Sequence, residues 1–409
     1  MTSLVKPAAA MGVALSLLAQ PTAAEQWAQA WMAAPQAVWT DTSLFATGLP
    51  ERIAGATIRQ PLTLGYSADR LRLVLSNLHG TRALRVEAAS VAPSLGGAAT
   101  GPSARVSFGG QDGVTIAAGA EAVSDPVAFS AAAGDRIAAT LRFGAEAESE
   151  DFHWDARETS YVIGADTEMP EVLSEMPARL TLSGVLTDHQ PRAVVVAMGD
   201  SITDGNGAPM DGAARWPDYL SRRLAPEGVS VINAGISGGR LLSDGMGRSV
   251  LARLDRDLLA VPGATTLVLL IGTNDIAWPG TPFAPEEAPM TLGRMTAGLQ
   301  QVAAQVHARG MRLVLGTVPP FRGALPGTPL EASYWSPAKD RLRRELNDWL
   351  RATDIPDALV DFDAVLRDPT DDSRLAEIND SGDRLHPGAA GNAAMADAIP
   401  LTILLGDFR

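Results

Sequence analysis

The run Ala193-Val194-Val195-Val196-Ala197-Met198-Gly199-Asp200-Ser201-Ile202-Thr203-Asp204-Gly205 decides how this chain is read. Its unbroken apolar start, with no polar alternation, describes a strand buried on both faces, and Gly-Asp-Ser then turns the chain sharply. The pattern of apolar strand followed by amphipathic helix recurs downstream. After 193–198 comes a helix near 214–224; 229–232 precedes 249–259, 265–271 precedes 291–309, 312–318 precedes 337–351, and 358–362 leads to a last helix over about 388–404. Strands of this kind separated by helices form a parallel sheet covered on both faces, because right-handed crossovers place the helices there. Five units predict a flavodoxin-like three-layer α/β/α domain over residues 191–409, with any ligand at the carboxyl ends of the strands.

Upstream of Thr187-Asp188-His189-Gln190-Pro191 the period is different. Short alternating runs such as Thr57-Ile58-Arg59-Gln60, Leu71-Arg72-Leu73-Val74-Leu75, Leu84-Arg85-Val86-Glu87-Ala88, Val114-Thr115-Ile116 and Leu180-Thr181-Leu182 are punctuated by Gly, Pro, Asn and Asp. Short strands at near-regular spacing predict an all-β sandwich or jelly-roll-like domain over residues 25–190. The acidic stretch from Gly144 to Ser160, with Glu146, Glu148, Glu150, Asp151 and Asp155, reads as a solvated loop, since it shows no regular metal-ligand spacing.

At 409 residues and 46% hydrophobic content the chain is too long for one ordinary domain and too apolar for a disordered one. A formal charge of −14 argues against nucleic acid as a partner. With no cysteine there is no thiolate nucleophile, disulfide framework or Cys-ligated zinc. Lys6, the apolar run Ala8–Ala19 and the small residues Pro21-Thr22-Ala23-Ala24 have the order of a secretory signal peptide, expected to be cleaved after Ala24. An Ala-rich N-terminal helix is the alternative. No other apolar stretch approaches the ~18–20 residues of a membrane span. The expectation is a periplasmic or extracellular protein with no stable membrane insertion after removal of residues 1–24.

The strand ends carry the polar residues. Ser201 stands at a strand-to-helix turn that can expose its hydroxyl and offer its own N–H to an oxyanion. The second strand runs into Asn233-Ala234-Gly235-Ile236-Ser237-Gly238 and the third into Gly272-Thr273-Asn274-Asp275. Asp383-Arg384-Leu385-His386-Pro387 opens the last predicted helix, and Asp and His three residues apart can place a carboxylate beside an imidazole.

In these residues the chain resembles the SGNH hydrolase family, the GDSL lipases and esterases, over about 193–405 and with the family's four blocks in order. The resemblance implies that Ser201 is the nucleophile and that Asp383 and His386 are acid and base. It likewise implies that the N–H groups of Ser201 and Gly238, with the side-chain amide of Asn274, form the oxyanion hole. Arg215-Trp216-Pro217, Leu385-His386-Pro387-Gly388 and Ser76-Asn77-Leu78-His79-Gly80-Thr81 are similar to the family's secreted bacterial members that carry a preceding β domain. The implied activity is metal-free and cofactor-free hydrolysis of a small-molecule or glycan ester through an acyl-enzyme. Short-chain or aryl esters are favoured, with carbohydrate O-acetyl ester hydrolysis as the alternative. A lipase or phospholipase, or a non-catalytic binding module on the same fold, is a more distant one.

Rival readings stay open at this level. Ser201 could be a plain helix N-cap. Gly235-Ile236-Ser237-Gly238-Gly239 satisfies the G-x-S-x-G nucleophile elbow, although Arg240 to Gly247 reads as loop where that elbow needs a helix. Asp200 is expected to buttress its turn by bonding backbone. Of the five histidines, His79 lies in a turn, His189 in the linker and His307 in an amphipathic helix, while His153 in the acidic segment could reach the rim of the site. There is no H-E-x-x-H, and no two histidines lie close in sequence, so metal catalysis has little support. Trp216, Trp278, Tyr334 and Trp335 fall near strand ends, where they could stack on a sugar or simply pack.

Overall fold

The structure is a computed structural model that describes residues 25–39, 44–148 and 150–405. The segment read as a signal peptide, 1–24, lies outside the described residues.

The C-terminal half is built on five parallel strands, β1 (Ala193–Gly199), β2 (Val229–Gly235), β3 (Ala264–Leu270), β4 (Arg312–Gly316) and β5 (Ala358–Val360). Their order is β2-β1-β3-β4-β5, and β1 pairs in parallel with both β2 and β3. Every residue of β1 is buried. Because successive side chains of a strand point to opposite faces, the strand feeds two cores. Val194, Val196 and Met198 pack under α3 (Val250–Leu254), α5 (Leu292–Ala308) and α6 (Pro337–Ala352). Ala193, Val195 and Ala197 pack under α2 (Trp216–Leu224), α7 (Phe362–Leu366) and α8 (Ala389–Ala398). This is the expected three-layer α/β domain.

Residues 28–190 are sheet-rich. One antiparallel sheet contains Ala28–Met32, Leu182–Thr187, Ala68–Asn77, Val127–Ala131 and Ala120–Val123; a second is organised around Thr57–Thr63, Arg136–Phe143 and Leu84–Gly96. Both contribute to one apolar core that includes Ile58, Leu62, Leu71, Leu73, Val86, Val91, Ile137, Leu141 and Val185. This is the sandwich arrangement that the alternating runs predict.

The two halves meet at the edge of the parallel sheet. β2 is an edge strand, and an uncovered edge is a site for unwanted pairing. Here Ala28–Met32 lies beside it: the Ser230 hydroxyl donates to the Gln29 carbonyl at 2.8 Å, and the Gln29 amide donates to Pro262 O at 3.1 Å. A register shift between Gln29 and Trp31 divides the strand's side chains between the two halves. Ala28 and Met32 join the α/β core, whereas Ala30 and Trp31 join the β core.

Three sequence expectations need correction. The acidic segment is not one solvated loop: Glu146 and Glu148 are exposed, but Asp151–His153 is a buried strand pairing with Gln36–Ala37 and Arg179–Leu180. Net charge along a segment does not tell which members find donors, and Asp151 finds the Ser76 hydroxyl and the His79 amide and ring. The last helix is not continuous, because it stops at Ala398 before Pro400 and a short helix resumes at Leu401. His386 does not start that helix either; it lies three residues before it, in the preceding loop.

Because one strand serves both cores, the whole chain is expected to melt in a single calorimetric transition. A chain starting at residue 191 exposes β2 and the sites of Ala28 and Met32, and should melt roughly 10 °C lower or precipitate.

Candidate active site

Each predicted site residue follows a strand or sits on a loop facing one. β1 ends at Gly199, and α1 (Ser201–Asp204) begins one residue later, capped by Asp200, whose Oδ1 accepts from the Ile202 amide at 3.0 Å. This fixes Ser201 as the first residue of a buried helical turn, with its N–H on the unbonded side of the helix start. The loop Asp380–Pro387 lies opposite, closed by the Ser381 amide on the His386 carbonyl and by the Leu325 amide on the Asp383 carbonyl.

The side chains converge. His386 Nε2 lies 2.8 Å from Ser201 Oγ, and its Nδ1 lies 2.5 Å from Asp383 Oδ2. Asp383 Oδ1 accepts from the Leu385 and His386 amides at 2.9 and 2.8 Å, so the carboxylate is held from behind while its other oxygen faces the imidazole. Burial works against the charge on Asp383, but the His386 ring and the two amides outweigh it and hold the carboxyl well below the usual carboxylate range. The geometry is that of an imidazole with one nitrogen occupied by a carboxylate and the other poised on a hydroxyl. Ser201 is 8% exposed and His386 9%.

The residues expected to form the oxyanion hole lie on the neighbouring strand ends. The Gly239 amide donates to the Ile236 carbonyl at 2.8 Å, closing a turn with Ser237 and Gly238 at its centre. Gly238 has φ +71°, the left-handed value that favours glycine at the third position of such a turn, and a Cβ there would stand 2.5 Å from Met246 Sδ. Asn274 lies in α4 (Thr273–Ala277), directly after β3; its Nδ2 donates to the Gly239 carbonyl at 3.0 Å and its Oδ1 accepts from the Tyr334 hydroxyl at 2.7 Å. An amide nitrogen carries two hydrogens, so this pairing fixes the flip of Asn274 and leaves one N–H for the cleft.

Ser237, in the turn with Gly238, is no part of the line from Asp383 through His386 to Ser201. Its hydroxyl donates to Asp204 Oδ2 at 2.7 Å, the residue is 1% exposed, and a loop rather than a helix follows it. Among the histidines, His79 pairs with Asp151, His189 contacts Ser67 and Asp69, and His307 contacts Asp357. His153 is 5% exposed and places its Nε2 2.9 Å from Asp204 Oδ1, one helical turn beyond Ser201. The sequence marks His153 only as able to reach the rim and Tyr334 only as an aromatic near a strand end, and gives a partner for neither. His153 and Tyr334 lie 51 and 60 positions from the residues they bond, and no periodicity links such pairs. Trp216, Trp278 and Tyr334 are 0%, 3% and 2% exposed and therefore pack rather than offer a stacking face.

Two further carboxyls lie under the site. Burial pushes Asp200 up to about 7 and Asp275 to about 6, opposed by the Ile202 amide in the first case and by the Leu241 and Leu242 amides in the second. Asp275 thereby tethers the loop after Gly238, whose Leu241 amide reaches its Oδ2 at 2.9 Å.

Two outcomes follow from these contacts. A native carboxyl that titrates near 7, against an ordinary 3.8, keeps a proton that the unfolded chain has lost; its contribution to stability is full below the unfolded value and lost as pH rises through 7. Asp200→Asn keeps the acceptor for the Ile202 amide and cannot ionise. Thermal melts should show it more stable than the native chain at pH 8, by on the order of 2 kcal/mol, with the advantage shrinking toward pH 4. Tyr334→Phe frees Asn274 Oδ1 and should lower kcat about threefold to tenfold with KM little changed, read by steady-state ester hydrolysis.

Residues 197–394 match the family model described as GDSL-like Lipase/Acylhydrolase family. Among solved structures, a GDSL-like lipase from Bacteroides thetaiotaomicron is similar at 20% identity, covering 53% of this chain and 91% of that one with a TM-score of 0.39. An acetylxylan esterase from Geobacillus stearothermophilus is similar at 23% identity, covering 53% and 95% with a TM-score of 0.37. No curated protein matches the sequence. With the blocks after β1, β2 and β3 and the Asp383–His386 loop all inside the matched segment, residues 197–394 are a GDSL-like lipase/acylhydrolase domain of the SGNH hydrolase family, and the protein is a hydrolase of carboxylic esters.

Proposed function

We propose that Ser201, His386 and Asp383 carry out ester hydrolysis through an acyl-enzyme. The supporting observation is the unbroken line from Asp383 Oδ2 through the His386 ring to Ser201 Oγ, with contacts of 2.5 and 2.8 Å. His386 Nε2 takes the hydroxyl proton as Ser201 Oγ attacks the ester carbonyl, and Asp383 orients the ring and stabilises the imidazolium that forms. The oxyanion of the tetrahedral intermediate accepts from the Ser201 and Gly238 N–H groups and the Asn274 amide, each worth on the order of 3 kcal/mol of barrier. The imidazolium returns its proton to the departing alkoxide, and a water repeats the attack on the acyl-enzyme.

For the substrate we favour a short-chain or aryl ester. Its support is the scant exposure of Ser201 and His386 and the packing of Trp278 and Tyr334 beside Asn274, which suit a small acyl group. An acetyl group on a carbohydrate has the same acyl size, so the alcohol side decides between the two. We also propose export, with residues 1–24 removed. The support for this is the order of Lys6, the apolar run Ala8–Ala19 and the small residues Pro21-Thr22-Ala23-Ala24. N-terminal sequencing of protein recovered outside the cytoplasm should begin at Glu25.

A fluorophosphonate probe should label Ser201 in the native protein, and Ser201→Ala should abolish labelling, leaving none on Ser237. With p-nitrophenyl acetate, His386→Ala should cost at least as much kcat as Asp383→Ala. The double variant should be little worse than His386→Ala alone, since the pair acts as one unit. Near-native turnover by Asp383→Ala would remove that residue from the mechanism. A panel of acyl lengths and acetylated sugars should peak at acetyl to butyryl, and a preference for acetylated sugars over aryl acetates would select the carbohydrate reading.

A further inference from the structure

The segment that carries the oxyanion turn is held from outside the α/β domain at two separate points. The first hold comes from His153 through Asp204, the last residue of α1, 1% exposed. Its Oδ2 accepts from both the amide and the hydroxyl of Ser237, at 2.8 and 2.7 Å, and its Oδ1 faces His153 Nε2 at 2.9 Å. His153 belongs to the β half, on Asp151–His153, and its Nδ1 donates to the Ala34 carbonyl at 2.8 Å. The ring is therefore fixed at both nitrogens, with one proton between Nε2 and Oδ1. A buried carboxylate keeps its position only while its donors do, so His153 determines where Asp204 presents its other oxygen to Ser237, the residue directly before Gly238.

The second point lies on the far side of the same turn. Gln36 Nε2 and Trp39 Nε1 both donate to the Met246 carbonyl at 2.9 Å, and the Met246 side chain occupies the space beside Gly238 that a Cβ would need. Gln36 is in turn fixed by the Trp154 amide, which donates to its Oε1 at 2.9 Å from the residue after His153. Gln36–Ala37 and Asp151–His153 are paired strands of one small sheet, and Trp39, two residues further on, packs edge-on against Phe152 of that sheet, so both holds come from one part of the β half.

We propose that this small sheet of the β half positions the oxyanion turn, with His153 acting through Asp204 and Gln36 and Trp39 acting through Met246 as positioning residues for ester hydrolysis. The inference rests on the reading of Ser201 as nucleophile and Gly238 as an oxyanion donor. A donor displaced by a fraction of an ångström loses its value in the transition state more than in the ground state, so the effect falls on kcat and spares KM.

The test uses the full chain with p-nitrophenyl acetate, turnover being expressed per site titrated by fluorophosphonate on Ser201. His153→Leu removes the donor to Asp204 and should lower kcat about tenfold or more, with KM within about twofold. His153→Gln restores a side-chain N–H at a similar reach and should recover kcat to within about threefold of native. Trp39→Phe keeps the ring, deletes one donor to Met246 and should lower kcat about twofold to fivefold; it carries the test if His153→Leu does not accumulate as folded protein. Native turnover per titrated site in the variants that fold, with only a lower melting temperature, would make these contacts merely structural and overturn the proposal. Equal impairment of Gln and Leu at position 153 would overturn the role of the His153–Asp204 bond. Failure of the probe to label Ser201 in the native chain would instead refute the underlying catalytic reading.

Discussion

A carboxylate removed from water must be met by donors wherever it lies, and in this protein the Asp204 carboxylate lies where α1, the turn after β2 and the β half all meet. Burying it unpaired would cost several kcal/mol. The requirement ties three pieces of chain together: the helical turn that begins with Ser201, the turn that contains Gly238, and the strand that ends with His153. Close approach of backbone is the other half of the constraint. A Cβ on Gly235 would overlap the Asp204 amide, so α1 can sit against the end of β2 only over a glycine. Arg253 completes the floor from below, reaching the Ala234 and Gly199 carbonyls at 2.6 and 3.1 Å while paired with Asp257.

How much of this could be read from sequence depends on the range of the interaction. Strands such as 193–199 and 264–270 were legible because full burial leaves an unbroken apolar run, and the residues just after them were worth inspecting because parallel sheets gather polar groups there. Asp383 and His386 were legible as a pair by proximity alone. The expected helical geometry was wrong, and it is backbone bonding within a loop that aims the carboxylate at the ring. The two alternating sheets were legible in outline, because period two survives wherever one face is wet.

The rest was encoded in pairings across long stretches of chain. The acidic segment read as solvated because its charges are adjacent in sequence, yet Asp151 and His153 point into the protein and Glu146 and Glu148 out of it. The short strand is buried on both faces, Phe152 in the apolar core and Asp151 and His153 on polar partners, so it leaves no alternation to read. Tyr334 looked like any aromatic near a strand end; only its partner, Asn274, gives it a task.

The shared strand has a bearing on the order in which the molecule is made. Ala28 pairs with Thr187, and Gln29 is held by Ser230 and Pro262, so the first described strand finds its neighbours only after most of the β half and the start of the parallel sheet have left the ribosome. Contacts between such distant positions raise the contact order and slow the search for the native state. The nascent β half can pair this outer strand once Thr187 has emerged, but the strand's contacts with Ser230 and Pro262 wait until the α/β half starts to assemble, and that face of the nascent chain is open to holding factors until then.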